Sequence, residues 1–195
     1  MADGLFAVRQ LVYDEKKISM KELKEALIWN YDKGLDAQSA GDIGTEILKA
    51  MKAAGRNVDA STAAAVLNSL IGMKPEPDKL SRFKEIHDMI DEVPKFGNDI
   101  PEVDYFAREV AYTYTKPLQN YKNPRGGQFQ AGLYPVSANV PLGGQTGATP
   151  DGRYAHTPVA DGVSPSAGKD VKGPTAAASS VARLDHFIVS NGTLF

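Results

Sequence analysis

Several features are absent from this sequence. None of its 195 residues is cysteine, which excludes disulfide bonds, thiolate metal ligands and a thiol nucleophile within these residues. No apolar run reaches the roughly 18 residues that a membrane-spanning helix needs. The first residues have neither a basic n-region nor a long apolar h-region, so no secretory signal is predicted. We therefore expect a cytoplasmic protein that does not cross a membrane.

An excess of one charge is also absent. The 22 basic and 24 acidic residues give a formal net charge of −2, and no long block of like charge occurs. This balance argues against nucleic acid or an acidic membrane surface as the main partner. The hydrophobic content of 42% is typical of a globular protein that buries a core. The length fits one domain or one large piece of a domain.

Residues 1–122 carry periodic patterns that predict mainly helices. Apolar residues recur at helical spacing after Asp3, which we expect to cap the first helix. Ser19 and Glu22 have the spacing of a capping box and predict the start of the next helix. Further helices are predicted near 45–54, near 60–71, over 78–92, and from Pro101 to a stop or kink at Pro117.

The pattern changes in the last third of the chain. Gln128–Asn139 is β-like, and residues 143–173 are rich in glycine, proline, serine and aspartate, which predicts long ordered loops. A last helix is predicted over residues 174–191. On a strand, Tyr134 and Val136 share one face. A phenol held there is suited to line a pocket, and a core position for it fits the pattern equally well.

No single motif identifies a catalytic or metal site. Gly162–Lys169 fails as a P-loop because five residues separate its glycines and Asp170 follows the lysine. Gly143–Gly147 lacks the glycine spacing of a dinucleotide site. The three histidines form no ligand cluster, and His87 is expected to face solvent. Thr149–Gly152 has the residues of a tight turn, and a structural role is the simpler interpretation.

Six segments, taken in order, carry a resemblance that no single motif carries. They are Asn123–Gly127, Leu133–Pro141, Gly147–Arg153, Ala160–Pro165, Gly173–Ala176 and Leu184–Leu194. Their order and spacing resemble the C-terminal part of the glycyl radical enzymes, the superfamily of pyruvate formate-lyase and the diol dehydratases. The similarity is closest from about Pro94 onward and looser over residues 1–30. Residues 33–77 are longer than the family's usual connection.

The resemblance implies an α/β fold. The chain is expected to form a partial glycyl-radical-enzyme barrel, with a helical first two-thirds, a β/loop-rich segment and a final helix. Residues 1–195 are expected to belong to one pyruvate formate-lyase-like domain, in which residues 1–122 are mainly helical. Residues 123–195 are expected to supply strand, long ordered loops and a helix. Such a barrel buries its reactive loops because a radical requires the exclusion of water and oxygen.

The resemblance also implies radical chemistry. In these enzymes a backbone glycyl radical abstracts hydrogen from a cysteine, and the thiyl radical then removes hydrogen from the substrate. A radical-SAM activating enzyme with an iron–sulfur cluster installs the radical. The resemblance places this segment between the cysteine loop and the glycine loop, so no catalytic residue, metal or bound cofactor is assigned to it and the chain alone is expected to be inactive. Tyr134 matches a tyrosine that lines the substrate pocket of dehydratase-type members, and Val136 is its neighbour.

The implied function is a segment of a lyase. Ser137–Pro141 and Ala160–Gly162 look more like diol dehydratases than pyruvate formate-lyase, which indicates a B12-independent glycerol or propane-1,2-diol dehydratase. A formate C-acetyltransferase and the choline, isethionate and arylacetate lyases stay open, as does a non-catalytic binding module derived from the family. The implied setting is anaerobic metabolism of a small molecule by a homodimer, in the cytoplasm or in a bacterial microcompartment.

Overall fold

A computed structural model describes residues 1–35, 37–56, 58–71, 73–132 and 137–188 of the chain. Within these ranges the main elements are α-helices and one π-helical segment. They are α1 (Ala2–Val8), the π-helical segment (Arg9–Asp14), α2 (Met20–Ile28), α3 (Ala37–Ala53), α4 (Ala60–Leu70), α5 (Pro77–Glu92), α6 (Pro101–Leu118), α7 (Asn139–Gly144) and α8 (Pro174–Ala182). None of these described helices is long and apolar enough to cross a membrane.

Local sequence signals set several helix starts as predicted. The Ser19 hydroxyl accepts from the Glu22 N–H at 3.1 Å, and the Glu22 carboxylate accepts from the Ser19 N–H at 2.8 Å, so the predicted capping box is confirmed. Proline occupies the first turn of both α5 and α6, where its missing N–H has no helical partner to lose. Pro117 lies inside α6, one residue before the helix ends.

Three predictions about helices are corrected. Asp3 does not cap α1 but lies within it, because its carboxylate accepts from the distant Phe96 N–H at 2.8 Å. The helix predicted near 45–54 begins earlier, at Ala37, and Gly44 lies inside it where Leu67 of α4 approaches closely, so glycine is favoured there despite its poor helix propensity. The last helix ends at Ala182 rather than 191, and the His186 side chain bonds the Val181 carbonyl near its end.

The predicted strand over Gln128–Asn139 is also corrected for the part that the structure describes. Its described residues form isolated bridges, such as the one between Lys122 and Gln128, and no strand. Residues 133–136 lie outside the described residues. Residues 123–127 form a tight turn in which the Asn123 carboxamide accepts from the N–H groups of Arg125 and Gly127. Residues 128–130 after it are exposed, and no strand of the described chain lies beside them to extend the bridge into a ladder.

The core lies between α1, the π-helical segment, α2, α5 and α6, which together form what we call the helical part. Its buried apolar side chains include Phe6, Leu11, Ile86, Ile90 and Val103. Burying such a side chain contributes about 1.5–3 kcal/mol to the free energy of unfolding. The loop between α7 and α8 reaches the same core through Val163, and α8 reaches it through Val181.

Helices α3 and α4 pack against each other as a hairpin within the long connection at 33–77. The hairpin is closest at Gly44, where an added Cβ would lie 3.2 Å from a Leu67 methyl group. Asp59 caps α4 by accepting from the Thr62 N–H at 2.7 Å, and this bonding lowers the pKa of Asp59 to about 2. No residue of α4 is buried.

Candidate functional site

The two residues singled out from the sequence, Tyr134 and Val136, lie outside the described residues. The described chain resumes at Ser137, and α7 begins at Asn139. We therefore describe the surroundings of Tyr134 and Val136 from the chain that directly follows them. We call residues 139–159 the loop unit, because hydrogen bonds and close packing tie its two ends together.

Close backbone packing joins the two ends of the loop unit. Gly143 lies so near residues 157–159 that an added Cβ would be 2.6 Å from Pro158 Cα and 2.8 Å from the Val159 nitrogen. The Val159 N–H donates to the Asn139 carbonyl at 3.2 Å. His156 bonds the Gly144 carbonyl through Nδ1 at 2.7 Å. A glycine is required at position 143 because a side chain would separate these two backbones.

Arg153 hydrogen-bonds to several backbone carbonyls inside the loop unit. Its guanidinium donates to the carbonyls of Tyr154 at 3.0 Å and Thr157 at 2.7 Å. It also donates to the carbonyls of Thr146 and Gly147 and, through Nε, to the Thr149 hydroxyl. The fork of five N–H donors suits such a set of converging oxygens. Burial lowers the pKa of Arg153 from its usual range.

The predicted turn at Thr149–Gly152 is confirmed. The Gly152 N–H donates to the Thr149 carbonyl at 3.1 Å, and Gly152 has a φ of +89°. The turn is closed by the bridge between Thr149 and Arg153. Glycine is favoured at such a φ because other residues are strained there.

The segment directly after α2 contacts the loop unit at three points. The Tyr31 hydroxyl donates to the Thr149 carbonyl at 2.8 Å. The Tyr154 hydroxyl donates to the Asp32 carboxylate at 2.9 Å, and the Ala155 N–H donates to the Asn30 side chain at 2.8 Å. Asn30 and Tyr31 both have positive φ, at 50° and 56°. This uncommon backbone conformation is held by the contacts that it makes possible.

His87 contacts the loop unit from α5. It is buried, with 9% of its surface exposed, so the prediction that it faces solvent is wrong. Its Nε2 lies 2.9 Å from the Gly152 carbonyl, and because a carbonyl only accepts, this nitrogen carries the proton. Its ring stacks on that of Tyr154, with centroids 4.7 Å apart and an interplanar angle of 15°.

Tyr31 completes an aromatic cluster with His87 and Tyr154. Its ring meets that of His87 edge-on at 4.7 Å and that of Tyr154 at 6.0 Å. Burial, together with the negative charges of Asp151 and Asp91, raises the pKa of Tyr31 well above its usual value of 10.0. Burial and the hydrogen bond to Asp32 raise the pKa of Tyr154 in the same direction. Both phenols therefore act as neutral donors at ordinary pH.

A second polar junction ties α6 to the chain after α8. Asp104 is completely buried, and its carboxylate accepts from the Arg183 guanidinium at 2.7 Å. Arg183 also pairs with Asp99 at 2.5 Å. The Tyr112 hydroxyl donates to Asp185 at 2.7 Å. Sequence reasoning assigned no role to these groups, because their partners lie far apart in the sequence.

A groove of about 600 Å³ lies beside the start of α7. Its lining includes Asn139, residues 159–161, Ser164, Pro165, Ala167, Asp170 and three residues of α8. Its polar groups include the Asn139 amide and the Asp161 and Asp170 carboxylates. Apolar walls with a few such groups suit a small polar molecule. In the described part of the chain no group of three or more histidine, aspartate or glutamate side chains could hold a metal ion.

Gly162–Lys169, the segment that fails as a P-loop, has a structural role. The Lys169 ammonium pairs with Asp91 of α5 at 2.7 Å, and its carbonyl accepts from the Asn98 side chain at 2.7 Å. Gly97 approaches Pro165 so closely that an added Cβ would lie 2.7 Å from its Cβ. These contacts fix the segment to the end of α5 and leave no free lysine for phosphate.

The chain matches the PFL-like family model, described as pyruvate formate lyase-like, over residues 1–143. The chain belongs to this family. Solved structures agree with that assignment. The structure of 1,2-propanediol dehydration in Roseburia inulinivorans aligns with 100% of this chain at 60% identity and a TM-score of 0.89. The glycerol-bound B12-independent glycerol dehydratase from Clostridium butyricum aligns with 100% of it at 43% identity and a TM-score of 0.68.

A glycyl radical enzyme from Archaeoglobus fulgidus aligns with 78% of this chain at 30% identity and a TM-score of 0.53. The resemblance to glycyl radical enzymes is therefore confirmed, and the structural neighbours are barrels of that superfamily. The chain spans 23%, 18% and 19% of these three chains, in the order given.

Proposed function

We propose that this chain is a segment of a B12-independent glycyl radical lyase that dehydrates propane-1,2-diol. The observation that carries the proposal is the ranking of its structural neighbours. The propanediol-related structure matches the chain at a TM-score of 0.89, whereas the glycerol dehydratase matches it at 0.68 over the same full length. Loss of water from propane-1,2-diol gives propanal, so the reaction is an elimination with no net oxidation.

The proposed architecture is a partial α/β barrel in which residues 1–195 belong to one domain. Residues 1–122 supply the helices on which the loops rest, and residues 123–195 supply the loops and the last helix. The anchoring of the loop unit by α2 and α5 supports this division. Such anchoring is what a pocket requires, since side chains that bind substrate are placed by rigid elements beneath them.

Within this architecture, Tyr134 and Val136 line the substrate pocket. They precede the loop unit by a few residues, and Asn139 at its start faces the groove described above. The Tyr134 phenol supplies a hydrogen bond to a substrate hydroxyl, and Val136 supplies an apolar wall. A diol in which one terminal group is a methyl needs both kinds of contact.

The radical chemistry belongs to the complete enzyme. A glycyl radical, installed by a radical-SAM activating enzyme, supplies hydrogen abstraction there, and this segment binds no cofactor of its own. The proposed enzyme is a homodimer of the cytoplasm or of a bacterial microcompartment. Family membership supports these assignments. The residues of this chain contribute by binding, orienting and shielding the substrate from water.

A chimera tests the proposal. Residues 1–195 replace the corresponding stretch of the Roseburia inulinivorans protein, and the chimera is activated without oxygen. Glycyl radical content is measured by electron paramagnetic resonance, and product formation is measured with propane-1,2-diol and with glycerol. We expect a radical signal and a preference for propane-1,2-diol. A folded, radical-bearing chimera that converts neither diol would contradict the proposal.

A matched pair of variants tests the role of the tyrosine. Removing the hydroxyl in Tyr134→Phe is expected to lower kcat/KM about tenfold to a hundredfold, because a substrate hydroxyl then loses a buried partner. The control Tyr121→Phe changes a side chain that is 61% exposed and is expected to leave kcat/KM unchanged. Equal values for the two variants would remove Tyr134 from the pocket.

A further inference from the structure

Side-chain hydrogen bonds tie the loop unit to the segment directly after α2 and to α5, and the bond from α5 is made by one residue, His87. Asn30, Tyr31 and Asp32 all lie directly after α2, so their contacts fix the loop unit at one edge. The remaining contacts with the helices are packing contacts: a Cβ added at Gly4 of α1 would lie 3.6 Å from Pro150 and Asp151, and one added at Gly152 would lie 3.5 Å from Ile90 of α5. His87 lies on α5, which packs against α2, and reaches Gly152 from there.

The surroundings of His87 make its contact specific. Its Nε2 donates to the Gly152 carbonyl at 2.9 Å, while its Nδ1 lies 3.9 Å from the Asp91 carboxylate. Tyr154 covers one face of the ring, and Tyr31 meets it edge-on. Gly152 is buried and close-packed, since an added Cβ there would lie 2.6 Å from the Asp91 carboxylate.

We propose that His87 is a positioning residue, which fixes the orientation of the loop unit and thereby of the groove wall at Asn139. The chain of contact runs from His87 to Gly152, through the turn closed by Arg153, to the Thr157–Val159 backbone that packs on α7. The effect of His87 on catalysis rests on the proposed function, whereas its effect on the orientation of the loop unit is independent of that function.

The first measurement is hydrogen–deuterium exchange of the 195-residue chain. His87→Phe keeps a flat ring and removes the donor, whereas His87→Gln keeps an N–H donor and removes the ring. The control Lys84→Gln alters an exposed residue of the same helix. We expect His87→Phe to speed exchange in peptides from residues 139–159 about tenfold, as loss of one buried hydrogen bond predicts. Peptides from α6 should be unchanged, and His87→Gln should recover part of the protection.

Two outcomes would overturn the inference at this stage. One is unchanged exchange over residues 139–159 in His87→Phe. The other is an equal increase in α6, which would make His87 an ordinary core residue whose loss loosens the whole fold.

The second measurement uses the chimera. In His87→Phe we expect the KM for propane-1,2-diol to rise at least about fivefold with an unchanged glycyl radical content, because a displaced groove wall weakens binding more than radical loading. An unchanged KM overturns the link to the groove. If the unsubstituted chimera converts no diol, the proposed function fails instead, and the exchange result still decides the role of His87 in the loop unit.

Discussion

The contact between Gly143 and residues 157–159 gives the sharpest prediction, because the neighbouring Gly144 supplies a matched control. Both glycines lie at the end of α7. A Cβ added at Gly143 would lie 2.6 Å from Pro158 Cα, 2.8 Å from the Val159 nitrogen and closer still to the Thr157 carbonyl. A Cβ added at Gly144 would meet nothing within 4 Å. The same substitution should therefore have opposite effects at adjacent positions.

The magnitude follows from the geometry. Ordinary contacts begin at 3.4 Å, so Gly143→Ala must move two backbones apart by close to an ångström, and overpacking of this kind costs about 1–3 kcal/mol. The separation also weakens the hydrogen bond from the Val159 N–H to the Asn139 carbonyl, which costs about 1 kcal/mol. The gain in helix propensity on replacing glycine by alanine offsets roughly 0.5–1 kcal/mol. A net loss of about 1–3.5 kcal/mol is expected.

Urea denaturation of the two variants and the unsubstituted chain, followed by circular dichroism, measures the difference. Gly144→Ala is expected to leave the free energy of unfolding unchanged or to raise it by up to about 1 kcal/mol. Hydrogen exchange should show the loss in Gly143→Ala concentrated in residues 139–159. Equal stabilities for the two variants would refute the close packing of α7 on residues 157–159.

Three further predictions concern other parts of the fold. Gly97→Ala combines a φ of +96° with a contact 2.7 Å from Pro165 Cβ, whereas Gly126 has a φ of +86° and open space, so urea unfolding should show a loss about 2 kcal/mol larger at 97 than at 126. Ser19→Ala removes the capping box of α2 and should lower the free energy of unfolding by about 1 kcal/mol, measured by urea denaturation. Because the pKa of Tyr31 is raised above 10.0 in the folded chain, its contribution to stability is complete below pH 10.0 and is lost above it, by about 1.4 kcal/mol per pH unit, so Tyr31→Phe should flatten the alkaline decline in urea stability. An equally steep decline in that variant would contradict the burial of the phenol.

Much of the helical part was predictable because its signals are local. The capping box at Ser19 and the proline at the start of α6 act within one turn of helix, so the sequence pattern alone locates those starts. The turn at Thr149–Gly152 was predictable for the same reason. Glycine supplies the positive φ, and its neighbours supply the bend.

The burial of His87 could have been predicted from the sequence, but its hydrogen-bond partner could not. Phe83, Ile86, His87 and Ile90 recur at the i, i+3, i+4, i+7 spacing of one helix face, and all are buried. The spacing alone therefore predicts that His87 lies on the buried face of the helix. The prediction that it faces solvent followed the polarity of the side chain instead. Its hydrogen-bond partner, Gly152, is 65 residues away, and no local pattern identifies a partner at that distance.

Arg153 was not predictable even in principle from local pattern. Its hydrogen-bond partners are backbone carbonyls and one hydroxyl, with no carboxylate among them, so a pairing of opposite charges does not mark these bonds in the sequence. The β-like pattern at Gln128–Asn139 likewise gives isolated bridges in the described residues, where a strand was predicted. In both cases the backbone geometry of a loop decides the result, and that geometry depends on packing against the helices.

The contacts that join the two parts of this chain explain why a chimera is a sound test of its function. Tyr31 and Thr149 are separated by 118 residues, Tyr154 and Asp32 by 122, and Ala155 and Asn30 by 125. Each of these bonds closes within the chain itself, so the loop unit carries its own support when the segment is transferred. A segment whose loops rested mainly on other parts of the barrel would lose their orientation in a new host. Because this one should keep it, a loss of diol turnover in a folded, radical-bearing chimera would indicate a different substrate rather than a displaced loop.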